Sequence, residues 1–194
     1  MSLALDPRHA ALVLIDLQKG ILSQPLAPHD STQVIGNGAT LARKFLEKKA
    51  PVVGVNVTFS ADYAEMPPKA VDQPMQLPPG GLSAEWAELV PEIDGLAGLL
   101  RVTKRQWGAF FGTELDLQLR RRGVTTIVLA GVSTPIGVEQ TAREAWQHNY
   151  QVVIAEDACA ASGGQADIHA HSIGKIMPRI SRVRSTAEIL AALD

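Results

Sequence analysis

Residues 11–16 read ALVLID, a continuous apolar run that ends in a carboxylate. Such a run is typical of a β-strand that is buried on both faces, as in a parallel sheet covered by helices. Five later runs have a similar character, and we predict that they are strands of the same sheet. They are residues 51–57 (PVVGVNV), 99–104 (LLRVTK), 125–132 (TTIVLAGV), 151–157 (QVVIAED) and 179–184 (RISRVR).

Helical patterns lie between most of these runs. Capping boxes at Thr113 and Ser185 favour the start of two of the helices. Residues 58–82 are instead rich in proline, glycine and polar residues, which predicts a long loop. Strands that alternate with helices imply right-handed crossovers, so we predict an α/β fold with a six-stranded, mainly parallel sheet covered on both faces. The predicted helices are residues 32–49, 113–122, 138–149, 166–177 and 185–193.

The composition is that of one globular domain spanning residues 1–194, since 46% of the residues are hydrophobic and 20% are charged. The formal net charge of −2 gives no electrostatic reason to expect nucleic acid or an anionic membrane as a partner. No apolar run approaches the roughly 20 residues of a membrane span, and the first ten residues lack a secretory pattern. We therefore expect a cytoplasmic protein. Its single cysteine, Cys159, excludes an internal disulfide and a zinc site built from cysteines.

Three positions that directly end or follow predicted strands are candidates for a functional site. Asp16 ends the first strand, Lys104 ends the third, and residues 133–137 (STPIG) link the fourth strand to its helix. In parallel sheets, ligands bind beyond the carboxyl ends of the strands, where the strand order reverses. We expect these positions to meet there, with Lys104 lowering the carboxylate pKa. Asp16 or Lys104 alone is more often structural, so the case for function depends on their occurring together.

Other residues have a functional and a structural interpretation. Trp107 and Phe110 follow Lys104 and either wall the substrate site or pack as core or interface aromatics. The lone Cys159 is more typical of a buried small hydrophobe than of a nucleophile. His169 and His171 resemble a metal-binding pair, but residues two apart on a helix point in different directions. We therefore predict no metal site from that pair.

Three motifs, in this order, resemble the isochorismatase-like hydrolase family. The resemblance runs from about residue 10 to residue 190. It implies a Rossmann-like, three-layer α/β/α sandwich with a six-stranded parallel sheet, in agreement with the fold predicted from the pattern. The motifs are residues 11–22 (ALVLIDLQKGIL), 103–145 (TKRQWGAFFGTELDLQLRRRGVTTIVLAGVSTPIGVEQTAREA) and 152–161 (VVIAEDACAA).

The resemblance also implies roles for individual residues. Many members of the family share an Asp–Lys–Cys triad, in which Asp16 matches the aspartate and Lys104 the lysine, while the cysteine position falls on Gly137. Without a thiol, no covalent thioester forms at that position. Isochorismatases proper are similar in having glycine there, and their aspartate is thought to protonate a vinyl ether that water then attacks. A further implication is a cis peptide between Val132 and Ser133, with the backbone around Ser133 and Gly137 binding an oxyanion or a carboxylate.

The loop after the second strand departs from the pattern of the nicotinamidases, which bind a metal there through Asp and His. Residues 57–69 (VTFSADYAEMPPK) contain no histidine, so we expect no catalytic metal and no cofactor. The resemblance further implies a homodimer or homotetramer.

These observations predict a hydrolase that acts on a small molecule with a vinyl ether or a C–N bond. Asp16 would donate or accept the proton, Lys104 would keep its charge and contact the substrate, and Ser133, Gly137, Trp107 and Phe110 would surround it. The alternative is a catalytically silent ligand-binding protein on the same fold, because a lost nucleophile is typical of such a branch. An amidase that uses Ser133 or Thr134 is less favoured, since neither residue occupies the nucleophile position.

Overall fold

The structure, a computed structural model that describes residues 3–193, contains a seven-stranded sheet with helices packed around it. No helix within these residues is long and apolar enough to cross a bilayer. The strands are β1 (Ala10–Ile15), β2 (Leu26–Ala27), β3 (Val52–Val57), β4 (Leu100–Lys104), β5 (Thr126–Val132), β6 (Gln151–Ser162) and β7 (Arg182–Arg184). The α-helices are α1 (Lys19–Leu22), α2 (Ser31–Glu47), α3 (Pro91–Asp94), α4 (Leu115–Arg120), α5 (Glu139–Gln147), α6 (Ala166–His171) and α7 (Thr186–Ala191).

Six strands are parallel and lie in the order β4–β3–β1–β5–β6–β7. The predicted six-stranded, mainly parallel sheet is therefore confirmed. The two-residue strand β2 was not predicted, and it pairs antiparallel with the carboxyl end of β6. The strand order reverses at β1 and β5, which are paired with each other. A crevice outside their carboxyl ends is the expected ligand position of such a sheet.

The central strand β1 separates two apolar cores. All six of its residues are fully buried, which explains the uninterrupted apolar run in the sequence. Alternate side chains point to opposite faces of a strand, so Leu12 and Leu14 join one core with residues of α2 and α7, and Val13 and Ile15 join the other with residues of α4 and α5. This double burial fixes the register of β1 and holds the residue that follows it.

Three predicted helices differ from the observed ones. The predicted helix at 166–177 is α6 followed by a π-helical turn, Ser172–Ile176, and a 3₁₀ turn. A π-helical turn, Thr134–Val138, also precedes α5. Helix α4 has no side-chain cap, so the capping box predicted at Thr113 is wrong. The Thr113 hydroxyl accepts a hydrogen bond from the Leu115 N–H, two residues on, whereas a capping box uses the N–H three residues on. The capping box of Ser185 and Glu188 is confirmed.

The predicted loop at 58–82 has no regular secondary structure, but local contacts order it. The Tyr63 hydroxyl accepts a hydrogen bond from the Leu82 N–H at 2.8 Å, which joins the two ends of the loop. Glu65 accepts hydrogen bonds from Ser60 within the loop and forms an ion pair with Arg105, immediately after β4, at 3.0 Å. The loop is therefore attached to the carboxyl edge of the sheet beside the end of β4.

Candidate active site

Asp16 and Lys104 meet as an ion pair at the carboxyl edge of the sheet. Lys104 Nζ lies 2.8 Å from Asp16 Oδ2, and the two side chains are only 3% and 6% exposed. The ammonium group also donates to the Gln106 carbonyl at 3.1 Å. The structure thus brings together the two charged residues that the sequence placed at the ends of separate strands.

Burial controls the acidity of Asp16 more strongly than its partner does. Loss of hydration raises the pKa of this carboxyl to about 6, although the charge and the hydrogen bond of Lys104 act in the opposite direction. The expectation that Lys104 would lower the pKa below its usual value is therefore wrong. The second carboxylate oxygen, Asp16 Oδ1, is buried and has no hydrogen-bond partner within residues 3–193. Both protonation states of Asp16 are thus accessible near neutral pH, and one oxygen remains available to a ligand.

The backbone around Asp16 is held by β3 and by the side chain of Gln18. Asp16 has a φ of 53°, in the left-handed region, and its N–H donates to the Val55 carbonyl at 2.9 Å. Aspartate tolerates this conformation better than most residues. The fully buried Gln18 side chain donates to the carbonyls of Val57 and Trp86 and accepts from the Val57 N–H. This positioning role of Gln18 was not predicted, although the sequence shows its amide within a largely apolar segment.

Gly137 lies directly opposite the carboxylate of Asp16. A Cβ atom at this position would lie 3.3 Å from Asp16 Oδ2, 3.0 Å from Ile15 Cγ2 and 3.6 Å from the Trp107 carbonyl oxygen. The position that the resemblance assigns to the nucleophile therefore faces the carboxylate, and in this chain it carries no side chain.

The turn that carries Ser133 connects β5 to α5. The Val132–Ser133 peptide is cis, as the resemblance implied. The Ser133 hydroxyl accepts a hydrogen bond from the Ser162 N–H at 3.0 Å, and the Ser133 carbonyl accepts from the N–H groups of Ile136 and Val138. Ser133 is thus tied to β6 and to its own turn.

The structure places Trp107 and Phe110 in different environments. The sequence allowed either a substrate-binding or a packing role for both residues. Phe110 is buried, and its ring stacks on His148 and contacts Tyr150, the residue before β6. These contacts are typical of a packing residue. Trp107 is 57% exposed, while its carbonyl approaches the position facing Asp16.

A groove of about 360 Å³ lies beside Gln106, whose carbonyl accepts from Lys104. Neither Asp16 nor Lys104 lines this groove, and both side chains are almost completely covered. The lining of the groove comprises Pro67, Gln106, Trp107, Gly108, Phe111, Gln140 and Glu144.

Cys159 has the character of a core residue, as the sequence suggested. It is fully buried, and burial raises the pKa of its thiol to about 12. A thiol with so high a pKa carries almost no thiolate at neutral pH, and only the thiolate is a strong nucleophile.

His169 lies beside the turn after β5. It is buried while His171 is exposed, which confirms that the two point in different directions. His169 Nδ1 lies 2.8 Å from Thr134 Oγ1. With His29 and Glu156 it forms a cluster whose ligand atoms all lie within 4.8 Å of one another, the one such group among the described residues. Neither His29 nor Glu156 was among the candidate site residues predicted from the sequence.

Residues 10–188 match the family model for the isochorismatase domain. The chain belongs to the isochorismatase family. A relative named uncharacterized isochorismatase family protein YecD, from Escherichia coli O157:H7, is 49% identical over 98% of this chain and 100% of that protein. The solved structure of an isochorismatase family protein from Burkholderia thailandensis has a TM-score of 0.90 and 40% identity, and covers 100% of this chain and 99% of that one.

A more distant relative has a name that states an activity. It is the ureidoacrylate amidohydrolase RutB of Cronobacter sakazakii, which is 29% identical over 84% of this chain and 79% of its own length. The family match and this relative identify the chain as an isochorismatase-family hydrolase.

Proposed function

We propose that this isochorismatase-family hydrolase cleaves a small molecule at a vinyl ether or a C–N bond, with water as the nucleophile and Asp16 as the group that moves the proton. The observation that carries the proposal is the position facing Asp16 Oδ2, which is Gly137. A glycine offers no atom for covalent attack, so the attacking group has to come from solvent.

Asp16 has the properties that the proton transfer needs. Its pKa of about 6 leaves part of the population protonated near neutral pH, and Oδ1 is free of protein partners within residues 3–193. The protonated carboxyl would donate to the carbon of a vinyl ether, and the carboxylate would accept a proton from water that attacks a carbonyl carbon. General acid–base catalysis of this kind contributes about 10²- to 10⁴-fold to the rate.

Lys104 and the turn after β5 would hold the substrate in place. Lys104 fixes one oxygen of Asp16 and also donates to the Gln106 carbonyl. The backbone around Ser133 and Gly137 follows β5 at the strand-order reversal, where ligands of parallel sheets bind. We assign it the binding of a developing oxyanion or of a substrate carboxylate, with the groove beside Trp107 as the approach.

The experiment that tests the proposal is a thermal-shift screen followed by turnover assays on every hit. The probes are isochorismate, small amides, carbamoyl compounds and aromatic carboxylates, because a ligand of the folded state raises Tm by mass action whether or not it reacts. Conversion of one probe, with loss of conversion in Asp16→Asn, is the expected result. Turnover that survives Asp16→Asn unchanged overturns the proposal.

The pH profile then separates the two substrate classes. If Asp16 is a general acid, as for a vinyl ether, kcat/KM rises as the pH falls through about 6. If Asp16 is a general base, as for a C–N bond, kcat/KM rises as the pH increases through the same value. The relative whose name is an amidohydrolase supports the second class, and the glycine at 137 supports the first.

The same glycine also favours a second candidate, a silent ligand-binding protein. In that case a probe stabilises the fold but no probe is converted, and Gly137→Cys is needed before any amide is cleaved. Gly137→Ala is the matched control, because it adds the same Cβ next to Ile15 Cγ2 and Asp16 Oδ2 without adding a thiol.

A further inference from the structure

His29, Glu156 and His169 come from three separate elements and converge beside the turn after β5. His29 precedes Asp30, the residue that caps α2. Glu156 lies where β6 leaves its register with β5, between the pairs Leu129–Ile154 and Gly131–Cys159. A strand irregularity of this kind redirects side chains out of the regular pattern. His169 lies on α6.

One oxygen, Glu156 Oε1, faces both imidazole rings. It lies 3.2 Å from His29 Nε2 and 3.7 Å from His169 Nε2. The first distance allows a hydrogen bond, whereas the second is too long for one. His169 Nε2 is accordingly buried without a hydrogen-bond partner within the described residues.

The unpartnered nitrogen of His169 needs a physical explanation. Its other nitrogen, Nδ1, is engaged by Thr134 Oγ1 at 2.8 Å. When Nδ1 carries the proton, the lone pair of Nε2 faces a carboxylate oxygen across 3.7 Å. A cation between the two atoms would satisfy both.

We propose that His29 Nε2, Glu156 Oε1 and His169 Nε2 bind a divalent cation of the zinc class, with one coordination position open to solvent. Two imidazoles and a carboxylate are donors that zinc accepts, and bonds of about 2.0–2.1 Å in tetrahedral geometry place two ligands about 3.3 Å apart. The separations of 3.2 and 3.7 Å between Glu156 Oε1 and the two nitrogens lie on either side of that spacing, and all three ligand atoms lie within 4.8 Å of one another.

The surroundings of the cluster are those of a supported and accessible metal site. Thr134 Oγ1 orients the His169 ring through its second nitrogen at 2.8 Å. Such outer partners fix the orientation of metal-ligating histidines. The Glu156 side chain is 34% exposed, which leaves an entry path from solvent. Through Thr134, the bound ion would stabilise the turn that also carries Ser133.

The site departs from the expectation of a chain without a metal, which was based on the loop after β3 and on the spacing of His169 and His171. It is independent of the reaction proposed for Asp16, since it uses none of the same side chains.

The test is a titration of the full-length, chelator-treated protein with Co²⁺, followed by its visible absorption and by calorimetry. We expect one equivalent per chain with the intense bands of four-coordinate Co²⁺. His169→Gln and Glu156→Gln should each weaken binding by at least about 100-fold, because loss of even an outer partner costs 10- to 100-fold. His171→Gln, a change of the exposed histidine on the same helix, should leave binding unchanged.

Three results overturn the proposal. They are the absence of stoichiometric binding, binding that persists in both ligand variants, and binding that His171→Gln removes, which would identify an adventitious surface site. Far-UV circular dichroism shows whether each variant folds. Glu156→Gln decides the question if His169→Gln does not, because its side chain is partly exposed and its replacement has nearly the same shape.

Discussion

The ion pair of Asp16 and Lys104 and the cluster of His29, Glu156 and His169 flank the same strand, β5, which pairs with β1 on one side and with β6 on the other. Each contains a buried side-chain atom that lacks a hydrogen-bond partner within residues 3–193, Oδ1 in the first and Nε2 in the second. Buried polar atoms are normally satisfied, so such exceptions call for an explanation.

The two regions differ in burial and in charge balance. The pair consists of one carboxylate and one ammonium and is almost fully buried, so it is neutral overall and is suited to moving a proton. The cluster has one carboxylate and two imidazoles, and is partly open to solvent. Similar defects in hydrogen bonding therefore indicate different ligands: a reacting molecule at the pair and a metal ion at the cluster.

The largest effect that separates the two regions is expected from Asp16→Asn. We expect kcat/KM to fall by about 10²- to 10⁴-fold, the range for loss of a general acid or base, while Co²⁺ binding stays unchanged. The measurement is steady-state kinetics on the substrate found by the screen, beside the cobalt titration.

The control for Asp16→Asn addresses the buried charge that it leaves behind. An unpaired Lys104 ammonium is costly in the interior, so the double variant Asp16→Asn/Lys104→Met, in which neither residue is charged, tests whether a loss comes from misfolding. If the well-folded double variant regains the activity of the natural chain, the role of Asp16 is wrong.

Gly131→Ala should damage both regions together. A Cβ at Gly131 would lie 2.0 Å from the Ile15 carbonyl oxygen, and its φ of 123° disfavours any side chain. We expect the free energy of unfolding to fall by about 4 kcal/mol, at the upper end for single substitutions. Urea denaturation measures it.

Gly137→Ala is the comparison for Gly131→Ala, because the three atoms nearest to its Cβ would belong to the Ile15 and Asp16 side chains and the Trp107 carbonyl, at 3.0 Å or more. We expect a change in unfolding free energy within about 1 kcal/mol, since alanine is also the better helix former. Equal losses in the two variants would contradict the conclusion that the close approach of the Ile15 carbonyl makes an added Cβ more costly at 131 than at 137.

The sequence predicted the ion pair but not the cluster, and this difference has a physical cause. Asp16, Lys104 and Gly137 lie at or just beyond the ends of parallel strands, and the topology of such sheets brings those ends together, so the pattern predicted their meeting. The cluster depends on the irregularity of β6 that redirects Glu156 and on where α2 begins. Neither is visible as a period in the sequence.

The sign of the Asp16 pKa shift was missed for a related reason. The sequence shows that an ammonium follows β4, which predicts a lower pKa, but it does not show that both side chains are removed from water. In the structure, desolvation exceeds the attraction of Lys104. Likewise, the exposed Trp107 and the buried Phe110 follow the same strand three residues apart, and only the packing against His148 and Tyr150 distinguishes them.

A pH dependence of stability is expected from the pair. The pKa of Asp16 is about 6 in the folded state against 3.8 for the free group, so the folded chain binds more protons between these values. This contribution to stability is fully present below pH 3.8 and is lost as the pH rises through about 6. At about 1.4 kcal/mol per pKa unit, the loss amounts to about 3 kcal/mol.

The natural chain and Asp16→Asn, compared by urea denaturation between pH 4 and 7, isolate this contribution from those of all other groups. We expect the stability of the natural chain relative to the variant to fall as the pH rises. A difference that is constant over the interval would show that Asp16 keeps an ordinary pKa.

The smallest effect is expected from Glu65→Gln, which touches the first region alone. Glu65 attaches the loop at 58–82 to Arg105 beside Lys104, and it has no contact with the cluster among the described hydrogen bonds. A partly exposed ion pair contributes little to stability, so we expect an unchanged Tm. A looser loop beside the groove at Trp107 should raise KM a few-fold, leave kcat within about twofold and leave Co²⁺ binding unaffected, because binding and chemistry separate in these constants.

Glu47→Gln, at the exposed ion pair with Lys44 on α2, is the matched control and should change none of these quantities. If kcat falls by a larger factor than KM rises, the loop takes part in the chemical step. Weaker Co²⁺ binding would show that the two regions are coupled across β5.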